Sequence, residues 1–275
     1  MTPGPSSRDD TGAAVPLPPR VSRVVSLVPS LTETVAVTAP GLVAGATDWC
    51  THPGGLDVPR VRGTKNPDLA AVIALRPDVV LANEEENRAA DLAALRAAGL
   101  PVWVTVIRTL DEALASLRRL LTVACQLPVP AWLDAAEQAW DLGPVPGVPD
   151  GPGTPERPGQ RRRAVIPIWR RPWMVLGRDT LAGDILARLG VANLYAGHAE
   201  RYPKVPLDDL LAAGPDLVVL PDEPYRFTAS DGPECFPGVP AALLSGRHLT
   251  WYGPSLAEAP RILAAQLAAA SPLAP

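Results

Sequence analysis

Short aliphatic runs alternate with stretches of helical period along almost the whole chain. RVVSLV at 23–28 reads as a buried strand, and Pro29 with Ser30 turns it into a helix carrying Leu31 and Val35. VAGAT at 43–47 is a second strand, followed by the loop DWCTHPGG. Asn66 is an expected N-cap with Pro67 in the first turn, which predicts a helix over 67–75. Strand DVVLA, loop NEEEN, helix RAADLAALRAA ending at Gly99 and strand PVWVTVI follow in order. Thr109 then opens a strong helix, with Glu112 completing a capping box and Leu110, Leu114, Leu117 and Leu121 along one side. It resumes through AWLDAAEQAW after a proline break at 128–130.

The second half repeats the plan: strand AVIPIW at 164–169, helix TLAGDILARLG, then a helix, a strand and a last helix at 260–270. Strands alternating with helices predict an α/β fold of mostly parallel sheets. One segment recurs. KNPDLAAVIALRPDVVLANEE begins at Lys65 and KVPLDDLLAAGPDLVVLPDEP at Lys204, each a short helix, a Pro-Asp step, an aliphatic strand and an acidic loop. Two such modules imply two similar lobes facing across a cleft, where small ligands bind. The expected organisation is a disordered tail at 1–22, an N-terminal α/β lobe at 23–107, a bridging helix segment at 108–141, a Pro/Gly-rich loop at 142–160 and a C-terminal α/β lobe at 161–275.

Composition narrows the partners. Basic and acidic residues are nearly balanced, 25 against 29, so no field favours nucleic acid. Three widely spaced cysteines, Cys50, Cys125 and Cys235, argue against a disulfide framework and fit a reducing compartment. The first twenty residues lack the apolar core of an export signal, and no window suits a membrane helix; the expectation is a cytoplasmic protein, or an exported one if the start lies upstream. Seven tryptophans against two phenylalanines change the picture most. Trp49, Trp169, Trp173 and Trp251 lie in or beside loops after strands, where parallel sheets bind ligands, and suit a flat, amphipathic ligand.

The remaining candidates are polar. Cys50 and His52 form a C-x-H pair beside Trp49, a contact or axial donor to a metal already held in a ligand, but too few donors for a metal site of the protein's own. Glu84, Glu85, Glu86 and Asn87 offer carboxylates for acid/base work or for a ligand's amide donors. Only two of the 25 basic residues are lysine, Lys65 and Lys204, at matching module positions. No catalytic constellation, intrinsic cofactor motif or phosphate loop emerges.

RVVSLVPSLTE, ATDWCTHP, GTKNPDLAAVIALRPDVVLANEEEN, LPVWVTVI and APRILAAQL together resemble the helical-backbone (class III) substrate-binding proteins of ABC importers, which serve vitamin B12, ferric siderophores and heme. The similarity is greatest to the cobalamin-binding branch, and the C-x-H loop, GTKN and EEEN resemble a subset found without an export signal. The resemblance implies two α/β lobes bridged by a long rigid helix, with the ligand in the cleft between the lobes. By position, it implies that Pro29 and Ser30 line the cleft, that Trp49 contacts the corrin, and that Trp173, Tyr202, Trp251 and Tyr252 offer rings from the other side. With Cys50, His52, Lys65, Asn66, Glu85, Glu86 and Asn87 these make up the candidate ligand-binding set. Family members dock on an importer permease through one acid per lobe; the matching positions are Ala70 and Asp208, so one carboxylate is missing, though Asp68 is close by.

The function expected is a monomeric, non-catalytic binder of cobalamin, another corrinoid or a similar metal chelate. It has a small-molecule ligand, no nucleic-acid partner and no membrane insertion. The alternatives are an exported importer component for a ferric siderophore or heme, using Arg170, Arg171 and Arg178, and a cytoplasmic corrinoid- or tetrapyrrole-acting enzyme using Cys50, His52, Glu85 and Lys65.

Overall fold

The structure is a computed structural model that describes residues 7–141 and 161–271. The loop expected at 142–160 lies outside the described residues. The chain divides into two compact units, one of Met1–Ile107, Asp111–Ala135 and Tyr252–Pro254, the other of Arg108–Leu110, Ala136–Trp251 and Ser255–Pro275.

The first unit opens with a hairpin of β1 (Ser7–Arg8) and β2 (Ala14–Val15), then β3 (Val24–Ser26), α1 (Pro29–Thr38) and β4 (Val43–Ala46). A small hairpin of β5 (Arg62–Gly63) and β6 (Asn66–Pro67) precedes α2 (Leu69–Ala74), β7 (Val79–Asn83), α3 (Ala89–Ala97) and β8 (Val102–Thr105). The sheet is parallel with strand order β4-β3-β7-β8. Every residue of β7 is buried, as strands covered on both faces require. Val25, Leu27, Val72, Val80, Leu95 and Val104 anchor a core on one side of this sheet.

Beyond β8 come α4 (Leu110–Arg119), a π-helical turn at Leu120–Ala124 and, after an irregular stretch ending in proline, α5 (Ala131–Asp141). The bridging segment is therefore two helices, because Pro128 and Pro130 cannot continue the backbone ladder.

The second unit contains β9 (Arg162–Val165), a hairpin of β10 (Pro167–Trp169) and β11 (Met174–Val175), α6 (Leu181–Arg188), β12 (Val191–Asn193), α7 (Leu207–Ala212), β13 (Leu217–Pro221), β14 (Ala241–Leu244), α8 (Gly246–Thr250) and α9 (Ala259–Ala268). Its parallel sheet runs β12-β9-β13-β14, the same strand order as the first apart from the extra hairpin. Buried His248 links Ser245 Oγ at 2.7 Å to Glu258 Oε1 at 3.0 Å and so fastens α8 to the turn before α9.

The repeated modules occupy equivalent places. Asp78 Oδ2 accepts the Arg23 amide at 2.9 Å, and Asp216 Oδ2 accepts the Arg163 amide at 3.0 Å. In return Arg23 donates to Leu75 O at 2.7 Å and Arg163 to Ala213 O at 3.1 Å, a cation on the last carbonyls of each short helix. Before each Pro-Asp step the chain turns left-handed, at Arg76 with φ 47° and at Gly214 with φ 62°. The duplication is thus a brace between the module and the first strand of its sheet.

Two expectations are corrected. Residues 7–22 are no disordered tail: Asp9 is 3% exposed and accepts the Val104 amide at 3.2 Å, while the Asp10 amide donates to Val104 O at 3.1 Å. Arg96 and Arg119 pair with these two aspartates, and the hairpin covers the free edge of β8. Asn66 does not cap the module helix, because it pairs with Gly63 in the β5–β6 hairpin. The cap is Asp68, whose side chain accepts the Ala71 amide at 3.0 Å. Asp68→Ala is expected to lower stability by about 1 kcal/mol in urea unfolding; an unmoved midpoint would show the cap to be idle. Among the described residues no helix is long and apolar enough to cross a membrane.

Candidate ligand-binding site

In the first unit the loops beyond the carboxyl ends of β3, β4 and β7 carry most of the candidates. Pro29 takes the first helical position of α1, where its missing N–H costs nothing. Ser30 follows it, 3% exposed, and its hydroxyl has no hydrogen-bond partner. Tyr252–Gly253 lies against this turn so closely that a Cβ on Gly253 would sit 2.9 Å from Thr34 Oγ1. The Tyr252 ring is only 6% exposed, and its hydroxyl faces Ser30 and Thr105 without the geometry of a hydrogen bond to either. Burial, reinforced by Glu86, raises its pKa well above the ordinary phenol value.

The loop after β4 is held by Arg60, which donates to Thr47 O, Cys50 O and Leu56 O. On this braced loop Trp49 is 67% exposed, the most open large apolar side chain of the described residues. A ring this exposed on a braced backbone has the surface to stack on a flat partner.

Its neighbours behave differently. Cys50 is 1% exposed, its sulfur 3.0 Å from Thr32 Oγ1 and 3.1 Å from Thr47 Oγ1, and burial pushes its thiol up. His52 instead bonds Thr51 through Nδ1 at 3.1 Å. The C-x-H pair therefore does not act as one ligand set, and Cys50 is corrected from a ligand contact to a core residue. Among the described residues no three metal-binding side chains form a group that could hold an ion.

The NEEEN loop is organised by its two asparagines. Asn83 donates to Thr105 O and Oγ1 and accepts the Glu85 and Glu86 amides at 2.8 and 3.3 Å. Asn87 accepts the Asn83 amide at 2.9 Å and donates to Leu27 O and Thr64 O. Asn87 is thus a buried clamp whose hydrogen bonds are spent on β3, β7 and the β5–β6 turn, which corrects its expected contact with ligand. Asn83 drew no attention in the sequence; its signal was an Asn at i and i+4 around three carboxylates.

Lys65, exposed in that turn, donates to Glu85 O, and the Asn66 side chain packs on Gly63 beside the Trp49 indole nitrogen. Glu85 is half-buried. Glu86 lies deep in the protein while keeping part of its surface open, and desolvation, only partly offset by Lys65, raises its carboxyl from 4.5 to about 7.

The second unit carries an aromatic cluster of its own. Trp173 stacks on Phe227 at 6.1 Å and meets Phe236 edge-on at 5.7 Å, Tyr225 leans on Phe227 at 4.7 Å, and Trp169, 43% exposed, meets Tyr225 edge-on. Tyr225 and Phe227 went unnoticed in the sequence, although aromatic residues soon after a module strand were the available signal.

Arg170 lies over Trp173 and is neutralised by Asp231 and by Glu234 at 2.7 Å. The Tyr225 hydroxyl donates to Asp231 at 2.7 Å, and this bond, with Arg170, holds that carboxyl below its ordinary range. Arg178 pairs with Asp179 at 3.6 Å, and Arg171 is exposed. Half-buried Tyr202 carries Arg201 over its ring at 5.9 Å, exposed Lys204 bridges to Met174, and Trp251 donates to Glu223 at 2.9 Å.

No protein-family model matches the chain. The vitamin B12-binding protein of Pectobacterium carotovorum subsp. carotovorum (strain PC1) is 26% identical over 266 residues, spanning 94% of this chain and 92% of that protein. That of Vibrio cholerae strain O395 is 24% identical over 209 residues, spanning 74% and 71%. Among solved structures, the periplasmic vitamin B12-binding protein BtuF of Vibrio cholerae superposes with a TM-score of 0.68 at 16% identity, over 90% of this chain and 96% of that one. The periplasmic heme-binding protein RhuT from Roseiflexus sp. RS-1 gives 0.70 at 20% identity, over 90% and 98%. The structures show a shared fold, and the sequence relatives are similar to this chain over most of its length.

Proposed function

We propose that this chain is a non-catalytic binding protein for cobalamin or a closely similar corrinoid. The observation that carries the reading is Trp49, a ring left 67% exposed on a loop fixed by three arginine hydrogen bonds. Relatives named for vitamin B12 binding supply the ligand class. Within the first unit, Pro29, Ser30, Trp49, His52, Lys65, Asn66, Glu85, Glu86 and Tyr252 are its contacts. A ferric siderophore or other anionic chelate is less well served, since Arg170 already carries two carboxylates. The enzyme reading loses the buried thiol of Cys50 as an accessible nucleophile.

Isothermal titration with cobalamin is expected to give saturable heat with one site per chain, together with a change in tryptophan fluorescence. No heat at tens of micromolar would remove the proposal. An absorbance spectrum of protein purified from its own cells distinguishes corrinoid from heme.

The proposed place of work is the cytoplasm, as a carrier or store, and three unpaired thiols suit a reducing compartment. Recovery of the protein outside the cytoplasmic membrane on fractionation would overturn that assignment. Docking on a permease would rest on Asp208, exposed in the first turn of α7, without an equal partner on α2, where Ala70 is exposed and Asp68 is spent as a cap.

A further inference from the structure

Glu86 is a carboxyl group in need of donors. It lies deep in the protein with part of its surface open, no hydrogen bond from the described residues reaches it, and Lys65 is the cation that acts on it. The Lys65 ammonium already donates to Glu85 O, and Glu84 and Glu85 add two more carboxylates to the same loop. The loop cannot swing Glu86 away freely, because Asn83 holds its backbone amide.

Tyr252, within electrostatic reach of Glu86, adds a buried hydroxyl without a partner, and Ser30 adds another; Thr105, beside them, is engaged with Asn83 and Ala82 O. A desolvated carboxyl with no donor, near two buried hydroxyls that make no hydrogen bond to the protein, is a costly arrangement. A primary amide answers it, since its N–H groups donate to the carboxyl and its oxygen accepts from a hydroxyl. A carboxylate does not, since it brings a second anion to a group that has no arginine to offset it.

We infer that the Glu86, Tyr252 and Ser30 cluster is a specificity element of the proposed site, accepting ligands with neutral carboxamide side chains and rejecting the same framework bearing carboxylates. The inference rests on the corrinoid reading and narrows it: the amides on the ring's edge, as well as the ring, are recognised.

The test uses one framework in two states, cobinamide with its side-chain amides and cobyrinic acid with carboxylates in their place, titrated into the full chain from pH 6 to 8.5. Wild type is expected to bind the amide form at least about 10-fold tighter at pH 8. The gap should narrow toward pH 6 as Glu86 takes up its proton, while the carboxylates of the ligand stay ionised. Glu86→Gln, which keeps the shape and an accepting oxygen, is expected to reduce the gap to about 2- to 3-fold and to flatten its pH dependence. The wild-type pH profile carries the test even if the variant folds poorly. Equal binding of both forms, or a gap unmoved by pH and by Glu86→Gln, overturns the inference alone; failure of both forms to bind overturns the corrinoid reading and the inference with it.

Discussion

Trp49→Ala is expected to weaken cobalamin binding by about 10- to 100-fold and to leave folding stability within about 0.5 kcal/mol of wild type. Both halves follow from one fact. A ring 67% exposed contributes little to the core, so its removal opens no cavity, but most of its surface is available to a ligand. The loop beneath it is held without the indole, because Arg60 donates to the Thr47, Cys50 and Leu56 carbonyls. Titration calorimetry measures the first effect and thermal unfolding of the ligand-free protein the second. An unchanged Kd would take Trp49 out of the site; a large fall in Tm would show that the ring serves the fold instead.

Glu86→Gln is expected to make the ligand-free protein more stable at pH 8, by about 1–3 kcal/mol, and to change nothing at pH 4. The sign follows from where the proton is held. Unfolded, the carboxyl titrates near its ordinary 4.5; folded, it titrates at about 7. Between those values the folded state binds more protons than the unfolded one, so stability falls as pH rises and the full penalty is present above pH 7. The partly open surface of Glu86 puts the magnitude toward the lower end. Glutamine cannot ionise, so its profile lacks this slope. Urea unfolding at intervals from pH 4 to 8.5 makes the comparison, and parallel profiles for the two proteins would refute the buried-carboxyl account. A side chain that costs the ligand-free protein stability and lies within electrostatic reach of the buried Tyr252 hydroxyl has the physical profile of a ligand contact.

Local pattern made the architecture legible. The periodicity of the two modules predicts a short helix, a Pro-Asp step and a buried strand, and β7 and β13 are fully buried strands at the same place in sheets of the same order. Composition pointed to tryptophans in loops, and Trp49 and Trp169 are indeed among the exposed large apolar side chains. The matching lysines proved less symmetrical than their sequence context, for Lys65 serves the NEEEN loop while Lys204 only bridges a strand.

Most of what escaped the sequence shares one physical character: apart from Asn66, whose hairpin partner is local, each residue's state is set by a partner distant along the chain. Asn66 has the chemistry of an N-cap and becomes a hairpin residue because Gly63 pairs with it. Cys50 has the spacing of a donor pair with His52, yet Thr32 receives its sulfur in the core. Asn87 has free amide groups on paper, and Leu27 and Thr64 consume them. Arg170 reads as an anion receptor until Asp231 and Glu234 neutralise it. The first residues look too polar and proline-rich to order, but β8 offers an unpaired edge that Asp9 and Asp10 satisfy.

The sequence by itself thus determined the α/β alternation, the duplicated module and the chemical types gathered in loops after strands, because hydrophobic period and turn residues act over a few positions. Only the tertiary structure decided which of those groups remain free to meet a ligand. Burial and hydrogen-bond satisfaction depend on neighbours brought together by folding, and they spent Cys50, Asn87 and Arg170 internally while leaving Trp49 open and Glu86 without a donor.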